Sequence, residues 1–454
     1  MELEFRLLGP VEAWHGDRPL RLGGPKPRAL LAVLLLRAGQ VVPADALVDV
    51  IWGDEPPDTA RALVQTYVSA LRRALPGEAA EAIETRPPGY VMRPGTGRVD
   101  LLEFEAGTAH ARRAAAEGDH TGAARLLREA LALGIAVNAD NPQELDRIDA
   151  LVRSATTRSP VGIRVNPQVG SGAIGALSTA TATSKFGVAL RDEGAREWVV
   201  QAYLDRPWLS RLHAHSGSQG MPLSLMTRGI TETYELAEEI NRRIGRRQID
   251  TIDIGGGLPV NFASEAATPT YEQYARLLAE AVPGLFDGRY GLVTEFGRSL
   301  LAKHGSIVAR VEYTKSAGGR AIAVTHAGVQ VATRTVYAPG SWPLRIAAYD
   351  AKGRVKNGPV AVQDVAGPAC FAGDLLAEGR PLPLLEPGDY AAALDTGAYY
   401  FAHHYAYNSL PRPGIYGYAP GDGRTRFAVV RQAQTVEQIV AEAGGAERSG
   451  LLGL

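Results

Sequence analysis

Three polar clusters, each directly after a short apolar run, hold residue types that bind a charged ligand. They are His215-Ser-Gly-Ser218, Asp253-Ile-Gly-Gly-Gly257 and Glu295-Phe-Gly-Arg298. Consecutive glycines let backbone N–H groups approach a phosphate, while serine supplies a hydroxyl and arginine a planar fork of donors. These residues, with Tyr399 and Cys370 further along the chain, also have plainer uses: His215 and Tyr399 as satisfied core side chains, Glu295 with Arg298 as a structural ion pair, Cys370 as a small buried hydrophobe. Chemistry through a reactive amine has six candidates, because only Lys26, Lys185, Lys303, Lys315, Lys352 and Lys356 among the 48 basic residues are lysine. Arginine's guanidinium cannot form a Schiff base. A different chemistry is suggested earlier in the chain. Arg61, Gln65, Thr66, Ser69, Arg72 and Arg73 share one face of an expected helix over 59–75, and Val64, Val68, Leu71 and Leu75 share the other. Arg and Gln can read base edges in a DNA major groove and hydroxyls can reach phosphates; Arg86, at the tip of the hairpin that follows, adds a cation. An ordinary solvated helix face fits the same pattern.

The elements that must position these residues fall into distinct stretches. Short alternating runs at 3–8, 11–14 and 19–22 precede helices expected over 29–37, 43–52 and 59–75, the last with Asp58 as N-cap. The 29–37 segment is apolar nearly all round, which predicts a buried helix, and 83–92 reads as two strands around a Pro-Pro-Gly turn. Asp100 to Leu133 reads as two amphipathic helices. From Gly134, strand-like runs at 134–138, 161–165, 212–215, 251–254 and 292–295 alternate with helical stretches, the pattern of parallel βα units whose ligands sit at the C-terminal strand ends. After Ile307 strands dominate (307–313, 321–325, 360–365, 390–394), which predicts a separate β domain. The 454 residues carry 48 Lys+Arg against 49 Asp+Glu, a net −1, so any DNA binding must come from local placement of charge. A single cysteine excludes an internal disulfide. The start at Met1–Arg6 lacks a signal-peptide pattern, and the most apolar stretch, Ala29–Leu36, is too short to span a bilayer, so a cytoplasmic protein with no membrane partner is expected.

Phe5-Arg-Leu-Leu-Gly-Pro10, Pro25-Lys-Pro-Arg-Ala-Leu-Leu31, Leu47-Val-Asp-Val-Ile-Trp52, Val64-Gln-Thr-Tyr-Val-Ser-Ala-Leu-Arg-Arg73 and Thr85-Arg-Pro-Pro-Gly-Tyr90 occur in that order. Together they resemble the OmpR/PhoB-type winged helix that opens the antibiotic regulatory protein (SARP) family of bacterial transcription activators. The resemblance implies a DNA-binding domain over 1–98, with a recognition helix at 59–75 and a wing at 83–92. It also implies double-stranded promoter DNA and RNA polymerase as partners. Residues 99–133 resemble the start of the helical activation domain of such regulators.

The three polar clusters, with Arg164-Val-Asn-Pro167, Ser184-Lys-Phe-Gly187, Gly367-Pro-Ala-Cys370, Asp395-Thr-Gly-Ala-Tyr399 and Tyr407-Asn-Ser409, resemble the fold-type III pyridoxal 5′-phosphate (PLP) decarboxylases of ornithine, diaminopimelate and arginine, diaminopimelate decarboxylases above all. The resemblance implies that His215 stacks on the pyridine ring and that Ser218, Gly255, Gly256, Gly257, Arg298 and Tyr399 hold the phosphate. Glu295 would pair with the pyridine nitrogen, and Cys370 would act at the substrate from the neighbouring subunit of a homodimer. No metal is implied. Two departures stand out. Phe371 occupies the position where diaminopimelate decarboxylases have the Glu that contacts the distal end of the substrate. No Tyr-x-x-Lys-x-Asn motif, which carries the family's Schiff-base lysine on the first barrel strand, occurs. Gly134–Asp140 resembles about the fourth barrel strand, so strands one to three are expected to be missing. The expected architecture is therefore multidomain: an α+β winged helix (1–98), a short helical segment (99–133), an incomplete parallel α/β TIM-type barrel (134–306), a decarboxylase-type β domain (307–441) and a tail (442–454). The expected function is a DNA-binding transcriptional regulator fused to a decarboxylase-like domain without its lysine, binding PLP non-covalently at best. The alternative is a working decarboxylase, a carbon–carbon lyase, with an accessory DNA-binding domain.

Overall fold

In the computed structural model, the described residues are 3–8, 11–53, 56–76, 81–95, 97–104, 106–107, 110, 135–153, 159–421 and 424–444. Most of the helical pair expected over 99–133, and 445–454 of the tail, lie outside them. The chain divides into two compact units, one of 1–163 with 205–211 and one of 164–204 with 212–454.

In the first unit, Leu3–Arg6 (β1), Glu12–His15 (β2), Arg18–Pro19 (β3) and Arg98–Val99 (β7) form a sheet ordered β3-β2-β1-β7. Three helices follow β3: Pro25–Leu36 (α1), Ala44–Trp52 (α2) and Ala60–Ala74 (α3). Val41–Pro43 (β4), Ile83–Arg86 (β5) and Gly89–Met92 (β6) form a second sheet, with β5 and β6 as the expected hairpin. The apolar stripe of α3 does what its spacing demands: Val64, Val68 and Leu71 are buried against Leu30, Leu31, Leu34 and Leu47 in one core. Two local expectations change. Leu36 is exposed, so α1 is not buried all round, and Thr59 rather than Asp58 is the N-cap of α3, with no side-chain cap bond.

The βα alternation forms one parallel sheet. Its strands are Val137–Ala139 (β8), Val161–Asn166 (β9), Val188–Ala189 (β10), Leu209–Ala214 (β11), Thr251–Asp253 (β12) and Gly291–Val293 (β13), ordered β10-β9-β11-β12-β13 with β8 also paired to β9. Helices Ala195–Asp205, Leu223–Ile244 and Tyr271–Ala281 fill the crossovers that parallel pairing needs. The longest buries Met226, Ile230, Leu236, Ala237 and Ile240 along one side and ends on Gly245, whose φ of 75° is left-handed.

The β domain is a six-stranded sheet of Ile307–Ala317 (β14), Arg320–Thr325 (β15), Ile346–Tyr349 (β16), Val360–Ala366 (β17), Leu375–Pro383 (β18) and Tyr390–Ala393 (β19), ordered β16-β19-β14-β15-β17-β18. Several elements here escape the sequence pattern. β18 contains Gly379, Pro381 and Pro383, which read as loop, yet it lies on the sheet edge where proline is tolerated. Val329–Tyr337 is rich in β-branched residues but is helical, its Val329 N–H donating to the Asp374 carboxylate at 2.6 Å. Ile415–Gly421 (β20) and Arg424–Arg431 (β21) form a separate hairpin.

Candidate cofactor cleft and nucleic-acid interface

The parallel sheet brings its strand ends together. Leu177, His215, Ser218, Gly257, Leu258, Glu295, Gly297, Arg298, Ser299, Arg334 and Tyr399 line one cleft of about 220 Å³. The glycine triplet sits where backbones close in. A Cβ on Gly257 would lie 1.8 Å from the Gly217 carbonyl oxygen, one on Gly256 2.4 Å from that of Glu295, and one on Gly255 2.7 Å from His215 Nδ1. Gly257 also has φ +92°, so a side chain there would be strained as well as crowded. The Gly256 N–H donates to His215 Nδ1 at 3.0 Å, which leaves Nε2 to carry the proton of the neutral ring.

Glu295 is about half exposed, with its carboxylate 3.6 Å from His213 Nε2 and 3.8 Å from His215 Nδ1. Both separations are longer than a hydrogen bond, and each contact is an ion pair only where the imidazole is protonated. The two imidazoles, His213 first, hold the Glu295 carboxyl far below the usual carboxylate range. Neither ring nitrogen of buried His213 has a hydrogen-bond partner. The donor atoms of His213, Asp253 and Glu295 lie within 4.8 Å of one another.

The other end of the cleft is cationic. Arg298 is 6% exposed, and burial lowers its guanidinium pKa from the ordinary value. Its Nη2 reaches Ser218 Oγ at 3.4 Å, and its charge lies 4.6 Å over the Tyr399 ring and 4.7 Å over Trp342. Arg334 shares both rings at 5.3 Å. Arg298 Nε and Arg334 Nη1 are buried without a hydrogen-bond partner. Two guanidiniums with unpaired buried donors beside a hydroxyl suit a phosphate. Tyr399 is held there by Thr396 N–H donating to Gly305 and Gly397 N–H donating to Ala302. The residues present thus fit a phosphorylated pyridine at its phosphate, ring and ring-nitrogen ends. At its aldehyde end they offer no lysine, since none of the six lines the cleft.

Cys370 is exposed, unlike a core cysteine, and accepts from Asn408 Nδ2 at 2.8 Å. Phe371 stacks on Tyr337 at 5.7 Å and packs by Tyr407. His213, Arg334 and Trp342 are absent from the sequence expectation. His213 was legible, because it stands two residues before His215 on a strand and so shares its face. Arg334 and Trp342 reach the cleft only through tertiary folding.

On the winged helix, Arg61, Gln65, Thr66, Ser69, Arg73 and Arg86 are exposed, as a reading face requires. Their engagement differs. Arg61 pairs with Asp45 through Nε and Nη2 at 2.7 and 2.8 Å, and Thr66 Oγ1 donates back to the Ala62 carbonyl. Arg72 is turned inward, donating to the Ile83 carbonyl at 2.8 and 2.6 Å and to Thr85 Oγ1 at 2.9 Å. It ties the helix to the hairpin. Arg73 donates only to its own helix, at the Ser69 carbonyl.

A three-helix module closed by a β-hairpin, and a βα sheet with a phosphate-type cleft followed by a β domain, define a regulator-type domain joined to a PLP-decarboxylase-type domain. Residues 17–92 match the family described as "Transcriptional regulatory protein, C terminal", and residues 110–302 match "Pyridoxal-dependent decarboxylase, pyridoxal binding domain". Diaminopimelate decarboxylase of Pseudomonas aeruginosa is 30% identical over 317 residues, covering 69% of this chain and 72% of that protein. The corresponding Aquifex aeolicus protein is 29% identical over 276 residues, and the chain spans 63% of its length. Regulatory protein AfsR of Streptomyces griseus is 30% identical over 315 residues, 68% of this chain and 30% of that protein. Among solved structures, diaminopimelate decarboxylase from Helicobacter pylori complexed with L-lysine has a TM-score of 0.59 at 21% identity, over 76% of this chain and 94% of that one, which shows the fold. The chain belongs to the diaminopimelate decarboxylase family, with a transcriptional regulatory domain fused to the decarboxylase-like part. Among the described residues no helix is long and apolar enough to cross a membrane.

Proposed function

We propose that this protein is a DNA-binding transcriptional regulator whose decarboxylase-like half keeps a cofactor cleft but not amino-acid turnover. The observation that carries this reading is the cleft itself, with phosphate and ring ends furnished and no lysine in the lining. Domain limits of 1–98, 99–133, 134–306, 307–441 and 442–454 go with it. So does a barrel that lacks its first three strands; the parallel sheet itself holds six strands, β8 to β13, one more than the five this leaves. In this reading His215 stacks on the ring, and Ser218, Gly255, Gly256, Gly257, Arg298 and Tyr399 take the phosphate. Glu295, its carboxyl pKa lowered first by His213, pairs with the ring nitrogen. PLP, where bound, supplies an electron sink for carbanion charge; without an amine to carry it, the chain's own residues bind and orient the ring but do not commit it to substrate. Cys370 keeps its place at the substrate end, offered to a second copy in a homodimer. The winged helix takes promoter DNA through Gln65, Thr66, Ser69, Arg73 and Arg86, with Arg61 released from Asp45 on contact and RNA polymerase recruited at the promoter.

The full-length protein tests this by fluorescence anisotropy on promoter DNA across a salt series. Three arginine–phosphate contacts, from Arg61, Arg73 and Arg86, predict a log–log slope of about −2.7, since each contributes about −0.9. Salt-insensitive or absent binding would refute the regulator reading. Carbon dioxide release from diaminopimelate or another amino acid, by the purified chain supplied with PLP, would refute the loss of turnover.

A further inference from the structure

We propose that the cleft accepts 5′-phosphorylated vitamin B6 compounds whatever group they carry at C4′, so that pyridoxamine and pyridoxine 5′-phosphates bind as PLP does. This rests on the reading of the cleft as a PLP-type site and extends it to ligand class. An enzyme of this type prefers the aldehyde because a lysine amine bonds it covalently; the amine and alcohol forms cannot gain that bond. All six lysines of this chain are among the described residues, and each amine is placed elsewhere. Lys303 donates to Asn261 and Ser264 carbonyls and to buried Asp395. Lys356 is held by Glu386 and Asp389. Lys185 lies 4.9 Å over the Phe186 ring and Lys26 4.9 Å over Trp52. Lys315 and Lys352 are exposed in the β domain.

What the cleft does furnish is common to the three compounds. Arg298 Nε and Arg334 Nη1, buried and without partners, meet the phosphate. Glu295 meets the protonated ring nitrogen, and His215 meets the ring face. The three ligands differ only at C4′, where none of the six lysines lines the cleft to reward an aldehyde. Their affinities therefore fall within about tenfold of one another, a spread of one decade in Kd.

Isothermal titration of the full-length protein with each of the three phosphates, and borohydride treatment followed by intact mass, tests this. The expected result is one site per chain, affinities within tenfold, and no borohydride-fixed adduct. Arg298→Ala should weaken all three at least tenfold, with circular dichroism checking the fold. Lys352→Ala, at an exposed lysine of the β domain that does not line the cleft, should leave all three unchanged. PLP binding more than tenfold tighter than the other two, or one fixed adduct per chain on a single lysine, overturns the inference while leaving the cleft assignment intact. Failure of all three compounds to bind overturns both.

Discussion

Arg72 and Arg73 are neighbours of one type on one helix, and the structure gives them opposite tasks. Arg72 makes three donor contacts, two to the Ile83 carbonyl and one to Thr85 Oγ1, while Arg73 reaches only the Ser69 carbonyl of its own helix. Truncating Arg72 to alanine strips a charged donor pair from a carbonyl at the base of the wing. A hydrogen bond to a charged group contributes about 1.5–3 kcal/mol. The carbonyl regains some water because Arg72 is only part-buried, so about 2 kcal/mol is expected. That energy corresponds to about 30-fold faster exchange wherever the wing opens from the helix, since 1.4 kcal/mol is one decade. Peptide-resolved hydrogen exchange of the full chain reads this directly. Arg72→Ala should accelerate exchange over 60–92 by that factor, and DNA affinity should fall through disorder of the wing. Arg73→Ala should leave exchange unchanged and make the salt slope of DNA binding shallower by about 1, the share of one phosphate contact. Equal exchange in the Arg72→Ala protein and the parent would refute the tether. An unchanged slope for Arg73→Ala would reject the docking face.

Two further outcomes follow from the cleft. Gly257→Ala would put a Cβ 1.8 Å from the Gly217 carbonyl at a φ of +92°, which costs about 1–2 kcal/mol in backbone strain alone; binding of inorganic phosphate or PLP should fall at least tenfold by calorimetry, and undiminished binding would show that the triplet is not part of the phosphate cradle. His403 stacks on Tyr399 at 5.5 Å, and its imidazole pKa is lowered by burial first and then by the charges of Arg334 and Arg298. A phosphate neutralising those arginines should raise it, so the ligand binds more tightly as pH falls through the His403 titration. Proton NMR of the imidazole, with and without phosphate, checks the shift; a titration that ignores saturating phosphate would place the anion elsewhere.

Much of the site was legible because it is local in sequence. A strand end followed by His-Ser-Gly-Ser, Gly-Gly-Gly or Glu-Phe-Gly-Arg fixes both the residue types and, by the period of a strand, the face they share. The glycines could be read as close-approach positions, though only the folded chain shows that Gly257 meets Gly217. The β domain was less legible. The prolines of an edge strand give no strand pattern, and Val329–Tyr337, rich in β-branched residues, is nonetheless helical, its first N–H donating to the Asp374 carboxylate. Local propensity is a fraction of a kcal/mol per residue, and one buried charge-assisted bond outweighs several of them.

By itself, the sequence settled what this protein contains: a regulator-type module, decarboxylase-type clusters in family order, and six lysines with none in the expected motif. Composition and short-range periodicity suffice for that, because residue type and spacing are written along the chain. Tertiary structure decided which side chains are spent and which are free to act. It turned Arg72 inward, paired Arg61 with Asp45, set His213 beside Glu295 and brought Arg334 from the β domain to Arg298. Those assignments depend on distances between residues far apart in sequence, where packing and the burial of charge, not local pattern, determine what a side chain meets.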